Sequence, residues 1–188
     1  MSGKQQQRDQ INPVEELIRK LEGKEQKGEE AKSITELLSD RDIFHPHGYA
    51  NKVMEYINNE KHRVKLTSVQ LRKVFHEFKA IVDGLKREND SRPNEAIERA
   101  MGRLYRLYAI LEYQAERGVL DRDFKKLMFK LFDSIERDVK KAKREIEEAK
   151  KEGKEEREKD KEIKDKVVKV FDKAHDFLMA MVAYSKKS

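Results

Sequence analysis

The sequence predicts an all-α fold, and three observations carry that reading. Apolar residues recur at spacings of three and four along most of the chain. Period-two runs of β-branched and aromatic residues are missing. Only three Pro and eight Gly occur in 188 residues, too little punctuation for a sheet with many turns. The expected architecture is a small helical bundle of about five core helices. Residues 1–60 are expected to form a partly flexible N-terminal tail and short helices, and 61–188 the bundle, with 140–162 as a charged projecting insertion.

The elements follow in order. Met1–Gln10 reads as a flexible tail. Asn12-Pro13 offers an N-cap with Pro at the first helical position, ahead of Val14, Leu17, Ile18 and Leu21. Gly23–Lys32 is a charged linker. Ser33 and Glu36 have capping-box spacing before Ile34, Leu37 and Leu38. Phe44-His45-Pro46-His47-Gly48 is a turn, and Tyr49, Val53, Tyr56 and Ile57 follow on a short helix. Thr67 and Gln70 form a second capping box. Behind it Leu71, Val74, Phe75, Phe78, Val82 and Leu85 make one apolar stripe.

After a break at Asn89–Asn94, a helix carrying Ile97, Met101, Leu104, Tyr108 and Leu111 stops near Gly118, a natural residue to follow a helix end. Gly102 in its middle reads as a point of close helix packing. Asp121 caps a third long helix with Phe124, Leu127, Met128, Leu131, Ile135 and Val139. The last carries Val167, Val170, Phe171, Ala174, Leu178, Met181 and Val182. Between these two, Glu136–Lys166 holds 13 basic and 12 acidic residues in 31. Such a stretch buries little core alone but is helical through Glu–Lys pairs at i,i+4. It is expected to extend both helices into an exposed antiparallel hairpin broken near Gly153, either projecting from the bundle or partly mobile.

Composition narrows the function class. The charged fraction is 43%, against ~25% in an average globular protein. Mean hydropathy is −0.97, and no segment approaches the ~20 apolar residues of a membrane span. The N-terminus lacks the apolar stretch of a secretory signal. The absence of Cys removes disulfides, thiol catalysis, zinc knuckles and iron–sulfur clusters. A cytoplasmic chain without membrane partners is the expectation.

The net charge of +6 is concentrated. Residues 60–130 carry 17 Lys or Arg against 11 Asp or Glu, and the remainder carries 26 of each sign. Lys61, Arg63 and Lys65 lead into the Thr67 helix. On that helix Arg72, His76, Lys79 and Lys86 recur on one stripe, with Lys73 beside Arg72. On the next, Arg99, Arg103, Arg106, Tyr113 and Arg117 recur off the apolar stripe. Arg122, Lys125, Lys126 and Lys130 open the third. Lys and Arg neutralise phosphates and a Tyr among them stacks on a base, so one reading is a surface for single-stranded nucleic acid. The other is a solvated helix face in a Lys-rich protein, since Glu77, Asp83 and Glu98 share these helices.

Nothing argues for catalysis. His45-x-His47 sits in a turn beside Pro46, and Asp172-x-x-His175 stands alone, whereas a metal site in a bundle wants Glu and paired E-x-x-H units facing inward. A Gly-rich phosphate loop, G-x-S-x-G and H-E-x-x-H are all missing. No metal or cofactor is expected.

Two stretches carry a family resemblance: Leu66-Thr67-Ser68-Val69-Gln70-Leu71-Arg72-Lys73-Val74-Phe75, and the C-terminal Phe177-Leu178-Met179-Ala180-Met181-Val182-Ala183-Tyr184-Ser185-Lys186. Together they resemble the small helical subunit of type III-A CRISPR effector complexes, the Csm complex. Arg103–Arg117 is similar to that family's middle helix, without the Pro often found there. The resemblance covers roughly Lys65–Lys130 and Ile163–Lys186.

The resemblance implies a non-catalytic subunit, present in several copies stacked beside guide RNA and its paired target RNA, with other Csm subunits as partners. It implies RNA contacts at Arg72 and Lys73, then Arg103 and Arg106. With the charge pattern, the candidate RNA-binding set is Lys61, Arg63, Lys65, Arg72, Lys73, Lys79, Arg99, Arg103, Arg106 and Arg117. The alternative from a different class is a structural adaptor that docks protein partners and has no specific RNA role. A type III-B small subunit is a neighbouring possibility, and an enzyme a distant one.

Overall fold

The computed structural model of the chain describes residues 12–22, 32–59, 64, 66–87, 92–150 and 156–185, the side chains of 146, 149, 150, 156 and 157 excepted. The tail 1–10, linker residues 23–31, Lys61, Arg63, Lys65, Gly153 and Lys186 lie outside them. Among the described residues the chain is all-α. Four short helices, α1 (Pro13–Glu22), α2 (Ile34–Leu37), α3 (Asp40–Phe44) and α4 (Tyr49–Ile57), precede four long ones. The long helices are α5 (Ser68–Arg87), α6 (Pro93–Glu116), α7 (Arg122–Lys150) and α8 (Glu156–Tyr184). Among the described residues no helix is long and apolar enough to cross a membrane.

Caps explain where the helices begin. Asn12 Oδ1 accepts from the Val14 N–H at 2.9 Å. Ser33 and Glu36 close the capping box ahead of α2. Thr67 Oγ1 accepts from the Gln70 N–H at 3.2 Å, and Gln70 Oε1 accepts from the Thr67 N–H at 2.9 Å. Asp121 Oδ1 accepts from the Phe124 N–H at 2.8 Å. These side chains satisfy amides that have no carbonyl partner inside the helix. Gly118, at φ 67°, ends the α6 turn in a conformation that costs Gly nothing extra.

Two boundaries differ from expectation. The break after α5 closes earlier, because Pro93 is already helical and its missing N–H costs nothing at the first turn. Helix α3 comes from a third capping box, Ser39 with Asp42, whose S-x-x-D spacing was there to be read.

The core is centred on aromatic rings from all four long helices. Phe78 of α5 stacks on Phe132 of α7 and Phe171 of α8, each at 5.9 Å between centroids. Tyr108 of α6 meets Phe132 edge-on at 5.3 Å. The short helices join the same buried cluster. Val14, Leu17, Ile18 and Leu21 of α1 are buried with it, as are Ile34, Ile43, Val53 and Ile57. Helix α1 packs on α7, and α4 on α8.

Specific polar ties hold the short helices in place. Asn12 Nδ2 donates to Tyr56 Oη at 2.8 Å. The Tyr49 hydroxyl donates to Glu16 at 2.9 Å. At the C-terminal end of α8 the Tyr184 hydroxyl donates to the Phe44 carbonyl at 2.6 Å. Within the C-terminal stretch singled out above, Phe177, Leu178 and Met181 are fully buried. These residues hold the fold together.

The charged stretch runs as α7 to Lys150 and as α8 from Glu156, and the two helices pack along each other. Its lower part is anchored. Ala142 and Ile163 are buried in the core, Lys143 pairs with Glu98 of α6, and Asn94 Nδ2 donates to Asp160 at 3.2 Å. Lys166 bridges back to Glu145 at 2.9 Å.

Gly102 is not a point of close packing, since a Cβ there would meet nothing within 4 Å. Close approach occurs at Gly48, where a Cβ would stand 2.5 Å from the Asp42 carbonyl oxygen and 2.7 Å from that of Arg41.

Candidate nucleic-acid interface

Helices α5 and α6 run antiparallel. Gln70 Nε2 donates to the Val119 carbonyl just past the end of α6. Farther along, Arg103 lies against Gly84, whose Cβ would be 3.3 Å from Arg103 Nη1. Between these points is an open groove of about 200 Å³ lined by Glu77, Ala80 and Ile81 of α5 and by Arg103, Arg106, Leu107 and Ile110 of α6. Helical spacing puts Lys73 one turn before Glu77 on this flank of α5. By the antiparallel register Lys73 stands within one helical turn of Tyr113.

The candidate cations divide by what they face. Arg72, Lys73, Arg103 and Arg106 are exposed, and among the described residues none of the four has a carboxylate within ion-pair distance. Lys79 is paired with Asp83 at 2.5 Å. This contact holds the Asp83 carboxyl below the usual range, the hydrogen bond from Lys79 being the largest cause. Arg99 pairs with Glu95 at 3.4 Å. Arg117 donates from Nη1 to Tyr113 Oη at 3.2 Å, its guanidinium 5.4 Å from the ring centroid.

The cations of the Thr67 helix therefore divide between two flanks. Arg72, Lys79 and Lys86 recur on the flank nearer α8, where Lys86 pairs with Asp172 at 2.6 Å. Lys73 is on the flank nearer α6. Phe75, expected in the core stripe, is only half-buried and packs on His175 at 5.1 Å.

Of the cations at the start of α7, Arg122 and Lys126 are exposed without an ion pair among the described residues, and the other two are neutralised within the fold. Lys125 pairs with Glu112 at 3.0 Å, and Lys130 with Glu22 at 3.0 Å. The histidines of the turn serve local structure, since His45 Nδ1 accepts from the His47 N–H at 3.1 Å. Among the described residues no group of three metal-ligating side chains comes together.

Two features escaped the sequence reading. Ile110, 42% exposed, lines the groove between the arginines. It follows Arg103 and Arg106 at helical spacing, and that periodicity was its only signal. On α7, buried Asp138 accepts from Ser33 Oγ at 2.8 Å and from the Ile34 N–H at 2.7 Å. Beside it Arg137 donates to the Leu21 carbonyl at 3.0 Å and to the Lys32 carbonyl at 3.1 Å. Residues 104 to 116 positions apart meet here, and no local pattern announces such a pairing.

Residues 48–150 match the family described as Csm2 Type III-A. The match takes in α4 and the part of α7 after Lys130, both beyond the stretch on which the resemblance was read, and does not reach the C-terminal motif. Comparison with curated proteins and with solved structures finds no match. With more than half of its length matched, the chain belongs to the Csm2 family, the small helical subunit of the type III-A CRISPR effector complex.

Proposed function

We propose that the chain is a non-catalytic RNA-binding subunit that stacks in several copies along the guide–target RNA channel of the effector and holds RNA by its backbone in antiviral defence. The observation that supports this best is the meeting of Arg103 and Arg106 with the Lys73 flank of α5 over one exposed groove. Lys73, Arg103 and Arg106, without carboxylate partners and on adjoining flanks of two helices, suit phosphates, and Arg72 extends the charge onto the other flank of α5. They carry no arrangement of donors and acceptors that would read a base. Sequence choice is then left to guide pairing, as in other RNA-guided systems. Its partners in this reading are guide RNA, target RNA, other Csm subunits and copies of itself, in the cytoplasm.

The test is target-RNA capture by the assembled effector carrying either Arg72→Glu with Lys73→Glu or Arg103→Glu with Arg106→Glu. Losing a pair of phosphate contacts should weaken capture by about tenfold or more at moderate salt, with helicity by circular dichroism unchanged. Unchanged capture by both well-folded variants contradicts the reading. The competing adaptor reading draws on Glu77 and Ile110 in the same groove, which suit a protein side chain. It predicts that subunit assembly survives these charge reversals and that the isolated chain binds RNA no more strongly than any basic protein does.

A further inference from the structure

We infer that Tyr113 is a stacking platform for an unpaired base, so that the α5–α6 surface takes single-stranded RNA by base and backbone together. This inference rests on the RNA-binding reading above and adds the ligand class. Helix α6 carries three tyrosines, and their surroundings differ. Tyr105 has the carboxylates of Glu136 and Glu98 near its hydroxyl. Tyr108 is half-buried, and its hydroxyl donates to Asp133 at 2.8 Å. A phosphate chain approaching either would meet carboxylates.

Tyr113 is the reverse case. It is 62% exposed, and its hydroxyl accepts from the Arg117 guanidinium, which lies over the ring. Arg106 and Ile110 continue the same stripe toward the groove, and Lys73 stands within one helical turn of Tyr113 across the helix pair. From Arg106 to Arg117 the stripe runs ~16 Å along the helix axis. Cations at both ends, with an aromatic ring and an aliphatic side chain between, are what a short single strand needs: phosphates neutralised at the ends and a base against the ring. The arginine contact also holds the ring in one orientation, so little side-chain freedom is lost when a base arrives.

The experiment uses the full chain and two fluorescent probes of equal length, single-stranded oligoadenylate and an abasic oligoribose phosphate, each titrated over a salt series. The wild-type chain should bind oligoadenylate more tightly by about five- to 150-fold, the range that loss of one base–aromatic stack spans. The log–log salt slopes should be equal for the two probes, because the phosphates are the same. Tyr113→Ala should abolish the preference and leave the slope alone, while Tyr113→Phe should keep it. Equal binding of both probes by the wild-type chain overturns the stacking role and leaves backbone binding standing, as does a preference that survives Tyr113→Ala. Binding of neither probe overturns both readings. Loss of self-association in Tyr113→Ala, with the probe preference intact, overturns the inference in favour of a contact between copies.

Discussion

The guanidinium of Arg103 crosses from α6 to the backbone of Gly84 on α5, close enough that a methyl group at Gly84 would stand 3.3 Å from Nη1. The missing side chain at Gly84 is what lets a cation of one helix rest across its neighbour. Two surfaces thereby become one.

Gly84→Ala should leave the fold intact and raise stability by about 0.5–1 kcal/mol, the helix-interior difference between the two residues. The atom that must yield is the far end of a flexible side chain. Gly84→Leu should push Arg103 away and weaken RNA binding to the level of Arg103→Ala. Denaturant midpoints and RNA titrations of the three variants check both statements.

Gly48→Ala should behave oppositely. Its Cβ would overlap two backbone carbonyls, at 2.5 and 2.7 Å, and neither can move without opening the α3–α4 turn. A loss of about 1–3 kcal/mol is expected, in the range of overpacked sites, measured by urea denaturation.

Asp138 ties α2 to α7. Asp138→Ala leaves the Ile34 N–H buried without its acceptor and should cost about 1–3 kcal/mol. Burial raises the Asp138 carboxyl above its ordinary value, outweighing the hydrogen bonds from Ile34 and Ser33 that lower it. A raised value means that the folded state holds this proton more tightly than the unfolded chain. The stability it contributes is complete below about pH 3.9, the unfolded value, and is lost as pH rises through the folded value. The stability advantage of the wild type over Asp138→Asn should therefore shrink with rising pH across that window. Urea midpoints at several pH values check it, and an advantage that grows with pH contradicts it.

Phe78, between Phe132 and Phe171, is the centre of the core. Phe78→Ala should cost about 3–5 kcal/mol, enough to unfold a domain of ordinary stability at raised temperature. The melting temperature is the readout.

What could be read from sequence was what is local. The boxes Ser33–Glu36 and Thr67–Gln70, the cap at Asp121 and the stop at Gly118 are each settled within four residues, and all four stand in the structure. The stripe from Arg99 to Arg117 follows from helical period alone. What sequence could not give is which flank of one helix meets which neighbour. It could not separate Lys73 from Arg72 and Lys79, because adjacent residues differ by ~100° around a helix and only packing decides which side faces α6 and which α8. The charged stretch was legible as an extension of two helices, but the burial at its base was not. Its sparse Ala142 and Ile163 look unable to hold a core, yet they extend one that the neighbouring turns already make.

The most direct measurement is the salt dependence of single-stranded RNA binding by the wild-type chain and by a variant with Lys73, Arg103 and Arg106 each changed to Glu. Each phosphate contact adds a log–log slope of about −0.7 on a single strand. The account predicts a steep wild-type slope that flattens by about two in the variant, three contacts having been lost, with no change in helicity. Equal slopes for the two proteins, at equal affinity, would contradict it.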